Sequence, residues 1–208
     1  LLARQIESIR AQTWAEYVCI VRDDASPPEV ADAVARACAD DTRFRFVPND
    51  ARVGYYRNFE RCLERVPADA AYVAFCDQDD VWYPDKLETL VAAFRNERVQ
   101  LAYADMAIVS EEGALLAPSY WTDRANNSTD LASLLLINTV TGAASLFRRE
   151  LLEVALPFPD VPGTPYHDHW LACIALALGE LAFVGRPLHD YVQHGANVVG
   201  RHEPLPGE

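Results

Sequence analysis

Short apolar runs alternate with helical patterns through the first hundred residues of the chain. Buried strands are indicated where the apolar runs are short, in residues 17–21, 44–47 and 71–75. Helices are indicated where apolar residues recur at helical spacing, in residues 2–9, 30–38, 58–66 and 87–94. This alternation predicts an α/β fold whose first half is a parallel sheet covered by helices.

The second half of the chain has a mixed pattern. Asp105 separates two apolar runs, which predicts a strand region interrupted at that residue. Further strands are predicted over residues 143–147, 181–184 and 188–192, and helices over residues 131–135 and 169–178. Polar residues 117–129 predict a mobile loop, and proline-rich residues 157–165 predict another.

Two helix ends carry local signals. Ser26-Pro27-Pro28-Glu29 has the form of a capping box, so Ser26 is predicted to cap the helix that follows. Gly179 follows the helix predicted over residues 169–178, and a glycine there is typical of a C-terminal cap.

Length and charge narrow the class of protein. The 208 residues fit one domain with a real core, and half of them are hydrophobic, as in ordinary globular proteins. The net charge of −13 argues against binding to nucleic acid, because a phosphate backbone needs a basic face. A nucleotide-sugar ligand is still compatible with this charge, since a metal ion can neutralise its phosphates locally.

The five cysteines are scattered, and none forms a CxxC pair or a zinc-type spacing. They are interpreted as buried free thiols in a reducing cytosol. The chain shows neither a signal peptide nor an apolar run long enough to span a membrane. A cytoplasmic location is therefore expected, with peripheral association at the inner face of the plasma membrane as a further option.

The chemical candidate on which the rest depends is the acidic segment Asp77-Gln78-Asp79-Asp80. It lies where an apolar run gives way to a helical pattern, and ligands of open α/β sheets bind at that edge. Clustered carboxylates repel one another unless a cation offsets them, and Mg²⁺ prefers oxygen ligands. The segment therefore predicts a metal–diphosphate site. A solvated acidic turn is the alternative.

Two further acidic positions are candidates. Asp23 and Asp24 also follow a predicted strand, where a carboxylate can accept the N–H of a base or a ribose hydroxyl. Turn formation or helix capping is the alternative. Asp168 lies between His167 and His169 at a helix start and could be a general base. Its alternative is an N-cap role, and metal binding by the two histidines is less favoured because they point apart.

A fourth candidate, His194, stands beside Gly195 at the end of a predicted strand. It could reach a metal or a phosphate, although a lone histidine is more often a plain hydrogen-bonding residue.

Together these segments resemble the family 2 glycosyltransferases of the GT-A fold, over nearly the whole chain from Leu1 to Gly200. The acidic segment is similar to the DxD motif in the form common among rhamnosyltransferase-like members. The other matching segments are Gln5-Ile6-Glu7-Ser8-Ile9 with Gln12-Thr13-Trp14, Val21-Arg22-Asp23-Asp24-Ala25-Ser26, residues 49–58 with Gly54 and Arg57-Asn58, His167-Asp168-His169-Trp170-Leu171 and Gln193-His194-Gly195-Ala196-Asn197.

The resemblance implies a role for each candidate. Asp168 would be the catalytic base. Donor binding would fall to Asp23, Asp24, Asn58, Asp77 and Gln78. A divalent metal, Mn²⁺ or Mg²⁺, would be held by Asp79, Asp80 and His194.

The implied activity is an inverting sugar transfer in cell-surface polysaccharide synthesis. The donor would be UDP- or dTDP-linked, and the acceptor a saccharide or a lipid-linked saccharide. One alternative is a non-catalytic domain that keeps the fold for binding or assembly. Another is a nucleotidyltransferase, which should carry a Gly-rich phosphate loop with a basic residue; none is visible in the sequence.

The chain departs from the family pattern at its start. The family opens with an apolar strand that nothing before Leu1 supplies, so a single, N-terminally truncated domain over residues 1–208 is expected. Within it, residues 1–110 would form the nucleotide-binding half, residues 111–200 the acceptor-side half and residues 201–208 a tail. Loss of a central strand would leave its neighbours without backbone partners.

Overall fold

The computed structural model describes residues 1–121, 126–163 and 166–195. The predicted tail and parts of the two predicted loops lie outside these ranges. The helices are α1 (Leu2–Arg10), α2 (Pro28–Ala39), α3 (Tyr55–Leu63), α4 (Lys86–Ala92), α5 (Leu131–Leu136), α6 (Leu152–Ala155) and α7 (His167–Leu178). The strands are β1 (Cys19–Asp23), β2 (Phe44–Pro48), β3 (Tyr72–Ala74), β4 (Val81–Trp82), β5 (Val99–Ser110), β6 (Leu115–Ala117), β7 (Ser145–Arg148) and β8 (Glu180–Gln193). Two 3₁₀ turns cover Gly142–Ala144 and Arg149–Leu151.

The strands form an α/β fold with two sheets. Strands β1 and β2 pair in parallel, as predicted for the first half of the chain. The larger sheet has the order β3-β7-β5-β8-β4, with β6 beside β5. Strands β5 and β8 are parallel, but β3 and β4 pair antiparallel with β7 and β8. Both of these partners come from the second half, so the larger sheet joins the two halves of the chain.

The strand interruption predicted at Asp105 is wrong. Strand β5 continues through it, and the register with β8 shifts on both sides of that residue. The carboxylate of Asp105 accepts hydrogen bonds from the backbone N–H groups of Met106 and Tyr120 and from the hydroxyl of Ser119. A bulge can absorb such a buried polar residue without ending the strand. Residues 181–184 and 188–192, predicted as two strands, likewise belong to β8.

One of the two helix-end predictions is wrong and the other is confirmed. Pro27 occupies the N-cap position of α2 without a side-chain cap, and Ser26 donates its backbone N–H to Asp23 Oδ2 over 2.9 Å. Proline at the next position has no N–H, so the first turn needs less capping. Gly179 is the C-cap of α7, as predicted, and its backbone N–H bonds to the carbonyl oxygen of Ala175, although its φ of −171° is extended rather than left-handed. It must be glycine because a Cβ would lie 2.1 Å from the carbonyl oxygen of Arg98.

Two apolar cores cover the two faces of the larger sheet. Along β5, Leu101 and Tyr103 face one core, whereas Ala102 and Ala104 face the other, as strand alternation requires. The first core includes Phe75, and the second includes Trp82. The acidic segment lies between these two residues in sequence, so both of its ends are anchored in packed interiors.

None of the helices within the described residues has both the length and the apolar character needed to cross a bilayer. All five cysteines are free thiols, and burial raises the pKa of Cys19 to about 12.

Candidate functional site

The acidic segment connects β3 to β4, and within it Asp79 and Asp80 are buried, whereas Asp77 is half-buried. Asp80 is 1% exposed, and within the described residues its oxygens make no side-chain hydrogen bond of standard geometry. His189 Nε2 lies 3.7 Å from Asp80 Oδ2, which is too far for a hydrogen bond. Burial raises the pKa of Asp80 well above its usual value, and Asp77 raises it further, although Lys86 and the Val192 N–H act against this.

The pKa of Asp77 reflects the other acids that lie near it. Burial raises the pKa of this carboxyl group to about 7, and the charges of Asp79 and Asp168 raise it further, against the opposing charge of Lys86. Asp168 comes from α7, on the other predicted half of the chain. The fold therefore brings the acidic segment and the candidate base into one electrostatic cluster.

Asp79 is in contact with the late histidine. His194 Nε2 lies 2.7 Å from Asp79 Oδ2, and Gln78 donates its Nε2–H to the same oxygen over 3.3 Å. His194 follows β8, whose pairing with β4 carries it back to the acidic segment. Residues 79 and 194, predicted to act together, are thus neighbours.

Asp168 is held by a segment that sequence reasoning did not single out. Its carboxylate accepts hydrogen bonds from Asn138 Nδ2 over 3.2 Å and from the Gly142 backbone N–H over 2.9 Å. The N-cap of α7 is Tyr166, so Asp168 is not the capping residue. Glycine at position 142 eases this approach, because a Cβ there would lie 3.0 Å from His167 Nε2 and these neighbours would have to shift slightly.

The two histidines beside Asp168 have different partners. His167 is buried and stacks on Phe59 with ring centroids 3.9 Å apart, and burial lowers its pKa to about 4. His169 Nε2 lies 2.6 Å from the carbonyl oxygen of Leu134. The two imidazole rings therefore have different surroundings.

Asp24 anchors a loop. It accepts the backbone N–H groups of Val53 and Gly54, each over 2.8 Å, and the side-chain amide of Asn49 over 3.0 Å. Burial raises the pKa of Asp24, but these hydrogen bonds outweigh it and leave the pKa below its usual value. Since Gly54 is the N-cap of α3, Asp24 fixes the start of that helix. The turn-forming alternative therefore has direct contacts, and a role in donor binding stays a prediction.

Helix α3 connects the Asp24 region to the base. Asn49 also donates to Asn58 Oδ1 over 2.8 Å, which brings Asn58 into the network of Asp24. At the first residue of α3, Tyr55 lies 6.3 Å from Tyr166 between ring centroids, and burial together with the charges of Tyr166 and Asp168 raises its pKa. The start of α3 thus lies close to both regions.

Two supporting residues were missed in the sequence: Asn138 and Lys86. Asn49 was interpreted as part of a turn and as the start of the segment, residues 49–58, that the resemblance links to nucleotide binding. A usable signal for Asn138 is its place, with Thr139, as a polar break between Ile137 and Val140.

In the part of the chain that the structure describes, the side chains alone do not form a complete metal site. Among the described residues, no three His, Cys, Asp or Glu side chains are arranged as a ligand set. The two buried oxygens of Asp80 and the raised pKa of Asp77 nevertheless fit a divalent cation, which would neutralise them. Mg²⁺ is commonly bound by one or two carboxylates together with substrate phosphates, and this cluster offers that number.

Comparisons with known proteins identify the family of the chain. The model of the family described as Glycosyl transferase family 2 matches residues 1–156. An uncharacterized glycosyltransferase of Nostoc sp. is 28% identical over 207 residues, covering 94% of this chain and 62% of that protein. The succinoglycan biosynthesis protein ExoW of Rhizobium meliloti is 42% identical over 91 residues, covering 42% of this chain and 27% of its own.

A third relative is WfgD of Escherichia coli, a UDP-Glc:α-D-GlcNAc-diphosphoundecaprenol β-1,3-glucosyltransferase. It is 25% identical over 120 residues, which cover 56% of this chain and 46% of WfgD. The chain therefore spans less than two thirds of the length of each of these relatives.

Two solved structures share the fold. S. aureus TarS in complex with UDP-GlcNAc has a TM-score of 0.70 at 13% identity, covering 94% of this chain and 56% of that one. The mannosyltransferase PcManGT of Pyrobaculum calidifontis, in complex with GDP-Man and Mn²⁺, has a TM-score of 0.65 at 18% identity, covering 91% and 52%. These similarities confirm the predicted GT-A type of α/β fold.

Proposed function

Because the chain belongs to glycosyl transferase family 2, we propose that it is an inverting enzyme that transfers a sugar from a nucleoside-diphosphate donor to an acceptor hydroxyl group. The observation that carries this proposal is the cluster of Asp77, Asp79 and Asp168, because it combines a diphosphate-side acid group with a separately held base. A single displacement needs these two groups on opposite sides of the anomeric carbon.

Asp168 is the proposed base. Its carboxylate takes the proton from the acceptor hydroxyl as the oxygen attacks the anomeric carbon. The donors from Asn138 and Gly142 fix the direction in which the carboxylate points, which is the orientation that proton transfer requires.

The acidic segment is the proposed leaving-group side. Asp79, Asp80 and His194 are the residues that would hold Mn²⁺ or Mg²⁺, and such a cation offsets charge on the departing diphosphate. Contact between Asp79 and His194 supports the grouping, although their mutual hydrogen bond must open for both to bind one ion.

Donor binding is assigned to Asp23, Asp24, Asn58, Asp77 and Gln78. A UDP- or dTDP-linked donor and a saccharide or lipid-linked saccharide acceptor are proposed. The name of WfgD, with its UDP-linked donor and diphosphoundecaprenol acceptor, supports this choice. A role in cell-surface polysaccharide assembly is supported by the name of ExoW, and a rhamnosyl-type donor rests on the wording of the acidic segment alone.

The test begins with a panel of nucleotide sugars, screened by thermal shift with Mn²⁺ present, and continues with transfer assays on the donor found. The Asp168→Asn variant should then lose transfer by a factor of about 10² to 10⁴, with nucleotide affinity nearly unchanged. Asp69→Asn, an exposed carboxylate outside the cluster, is the matched control. Equal losses of transfer and of nucleotide binding in Asp168→Asn would show a structural role instead.

A further inference from the structure

Lys86 is a lysine with no exposed surface, at the first position of α4. Lysine is almost never fully buried unless it is paired. Within the described part of the chain, no carboxylate oxygen lies within ion-pair distance of its Nζ. Burial lowers the pKa of Lys86 to about 8, while the charges of Asp80, Cys76 and Asp77 act in the opposite direction. Burying this charged group costs free energy, so the position of Lys86 requires an explanation.

Three elements hold the ammonium group in place. Lys86 Nζ donates a hydrogen bond to the carbonyl oxygen of Ala143. The same atom lies 3.4 Å from His189 Nδ1 on β8 and 4.2 Å from the centroid of the Trp82 ring on β4. These contacts fix the position of the nitrogen, and the charges of Asp80 and Asp77 act on it there.

The contact with Ala143 leads to the candidate base. Ala143 lies in the 3₁₀ turn Gly142–Ala144, and Gly142 donates its backbone N–H to Asp168 Oδ2 over 2.9 Å. Lys86 and Asp168 thus bind adjacent residues of one turn. Lys86 comes from the acidic side of the cluster, and Asp168 comes from the acceptor side.

We propose that Lys86 is a positioning residue: by binding Ala143 it fixes the turn whose Gly142 N–H orients Asp168, and it thereby sets the base relative to the acidic segment. The catalytic part of this inference rests on the proposed glycosyl transfer. The structural part, the connection from Lys86 through the turn to Asp168, does not.

A simpler role would be charge compensation alone. A cation near Asp77 and Asp80 eases their repulsion wherever its hydrogen bond goes. The two roles differ at Gly142, since compensation leaves its N–H undisturbed when Lys86 is replaced, whereas positioning does not.

The first experiment measures that N–H in the metal-free chain without substrate. The chain has 9 glycines, so ¹⁵N-glycine labelling gives a simple spectrum, and the Gly142→Ala variant identifies the Gly142 signal. In Lys86→Met, the Gly142 amide proton should shift upfield and exchange with solvent about tenfold faster. Gly113, in a turn outside the site, should be unchanged. An unchanged Gly142 signal in the folded variant would overturn the proposal.

Lys86→Gln is the second variant, in case Lys86→Met does not fold. Its shorter side chain keeps an N–H donor, so the same Gly142 signal should move in the same direction by a smaller amount. A folded Lys86→Gln protein with the wild-type Gly142 signal would also overturn the proposal.

A separate kinetic experiment uses the donor and acceptor found for the wild-type protein. Lys86→Met should lower kcat by about 10- to 100-fold, since a small misplacement of a catalytic group has effects of that size. The donor KM should stay within about threefold, because the acidic segment is kept. A rise in KM at unchanged kcat would contradict a role through Asp168. Absence of transfer by the wild type would refute the proposed function while the Gly142 result still decides the structural link.

Discussion

His167 offers a measurable consequence of how tightly the base region is packed. Its ring stacks on Phe59 and meets the edge of Phe75 with centroids 4.6 Å apart. Its Nδ1 atom has no hydrogen-bond partner within the described residues, and the side chain is 8% exposed. Burial lowers its pKa from 6.5 to about 4, with the nearby charge of Asp168 acting against this. Replacing it by phenylalanine removes the titration and keeps an aromatic ring.

The direction of the pH effect on stability depends on whether the folded or the unfolded chain binds the proton more tightly. Between pH 6.5 and about pH 4, His167 is protonated in the unfolded chain but remains neutral in the folded chain. The contribution of His167 to stability is therefore complete above pH 6.5 and is lost as the pH falls. From these two pKa values, the loss between pH 8 and pH 5 amounts to about 2 kcal/mol.

The assay compares the free energy of unfolding of the wild-type chain and the His167→Phe variant in urea at pH 8 and at pH 5. The larger ring of the variant crowds Gly142, but that packing cost does not depend on pH. The difference between the proteins should move by about 2 kcal/mol in favour of the variant at pH 5. Asp77, whose raised pKa has the opposite effect on stability, titrates in both proteins and cancels. A constant difference would show that His167 keeps an ordinary pKa in the folded chain.

Two further changes test the acidic segment and the fold. Asp79→Ala should weaken Mn²⁺-dependent nucleotide binding in calorimetric titrations, relative to Asp69→Ala, and an unchanged titration would contradict metal binding by this carboxylate. Gly179→Ala should lower stability by about 1–3 kcal/mol in thermal melts, because its Cβ would overlap the Arg98 carbonyl. Gly185→Ala is the control, since its Cβ would lie 3.9 Å from Phe183, and equal effects would show that the contact is not limiting.

Local patterns predicted the elements of the fold better than their pairing. The apolar run before the acidic segment became β3, and the pattern after Pro84 became α4, because both depend on neighbours in sequence. The antiparallel pairing of β3 with β7 joins residues that are far apart, and no local periodicity encodes it. The interruption predicted at Asp105 was wrong for a similar reason. The carboxylate of Asp105 accepts hydrogen bonds from Ser119 and Tyr120, and a strand pattern cannot show these contacts.

Sequence patterns singled out those candidate site residues that are acids at the ends of predicted helices and strands. Asp77, Asp79 and Asp168 stand out as acids at element ends, and the fold brings them together. Residues that act through one backbone contact carry no such signal. Lys86 resembles any basic residue at a helix start, and only its complete burial distinguishes it.

The acidic segment carries more negative charge than Lys86 can offset, so it depends on the two apolar cores at its ends to hold it in place. Asp77, Asp79 and Asp80 lie within four positions, and Lys86 is the buried cation whose charge opposes the raised pKa values of Asp77 and Asp80. One cation cannot neutralise three carboxylates, so the metal-free chain must keep them together against their repulsion. Packing of Phe75 and Trp82 on either side provides the rigid ends that this requires. A divalent cation would then relieve repulsion that folding has already imposed, so metal and donor binding should stabilise the fold as a whole.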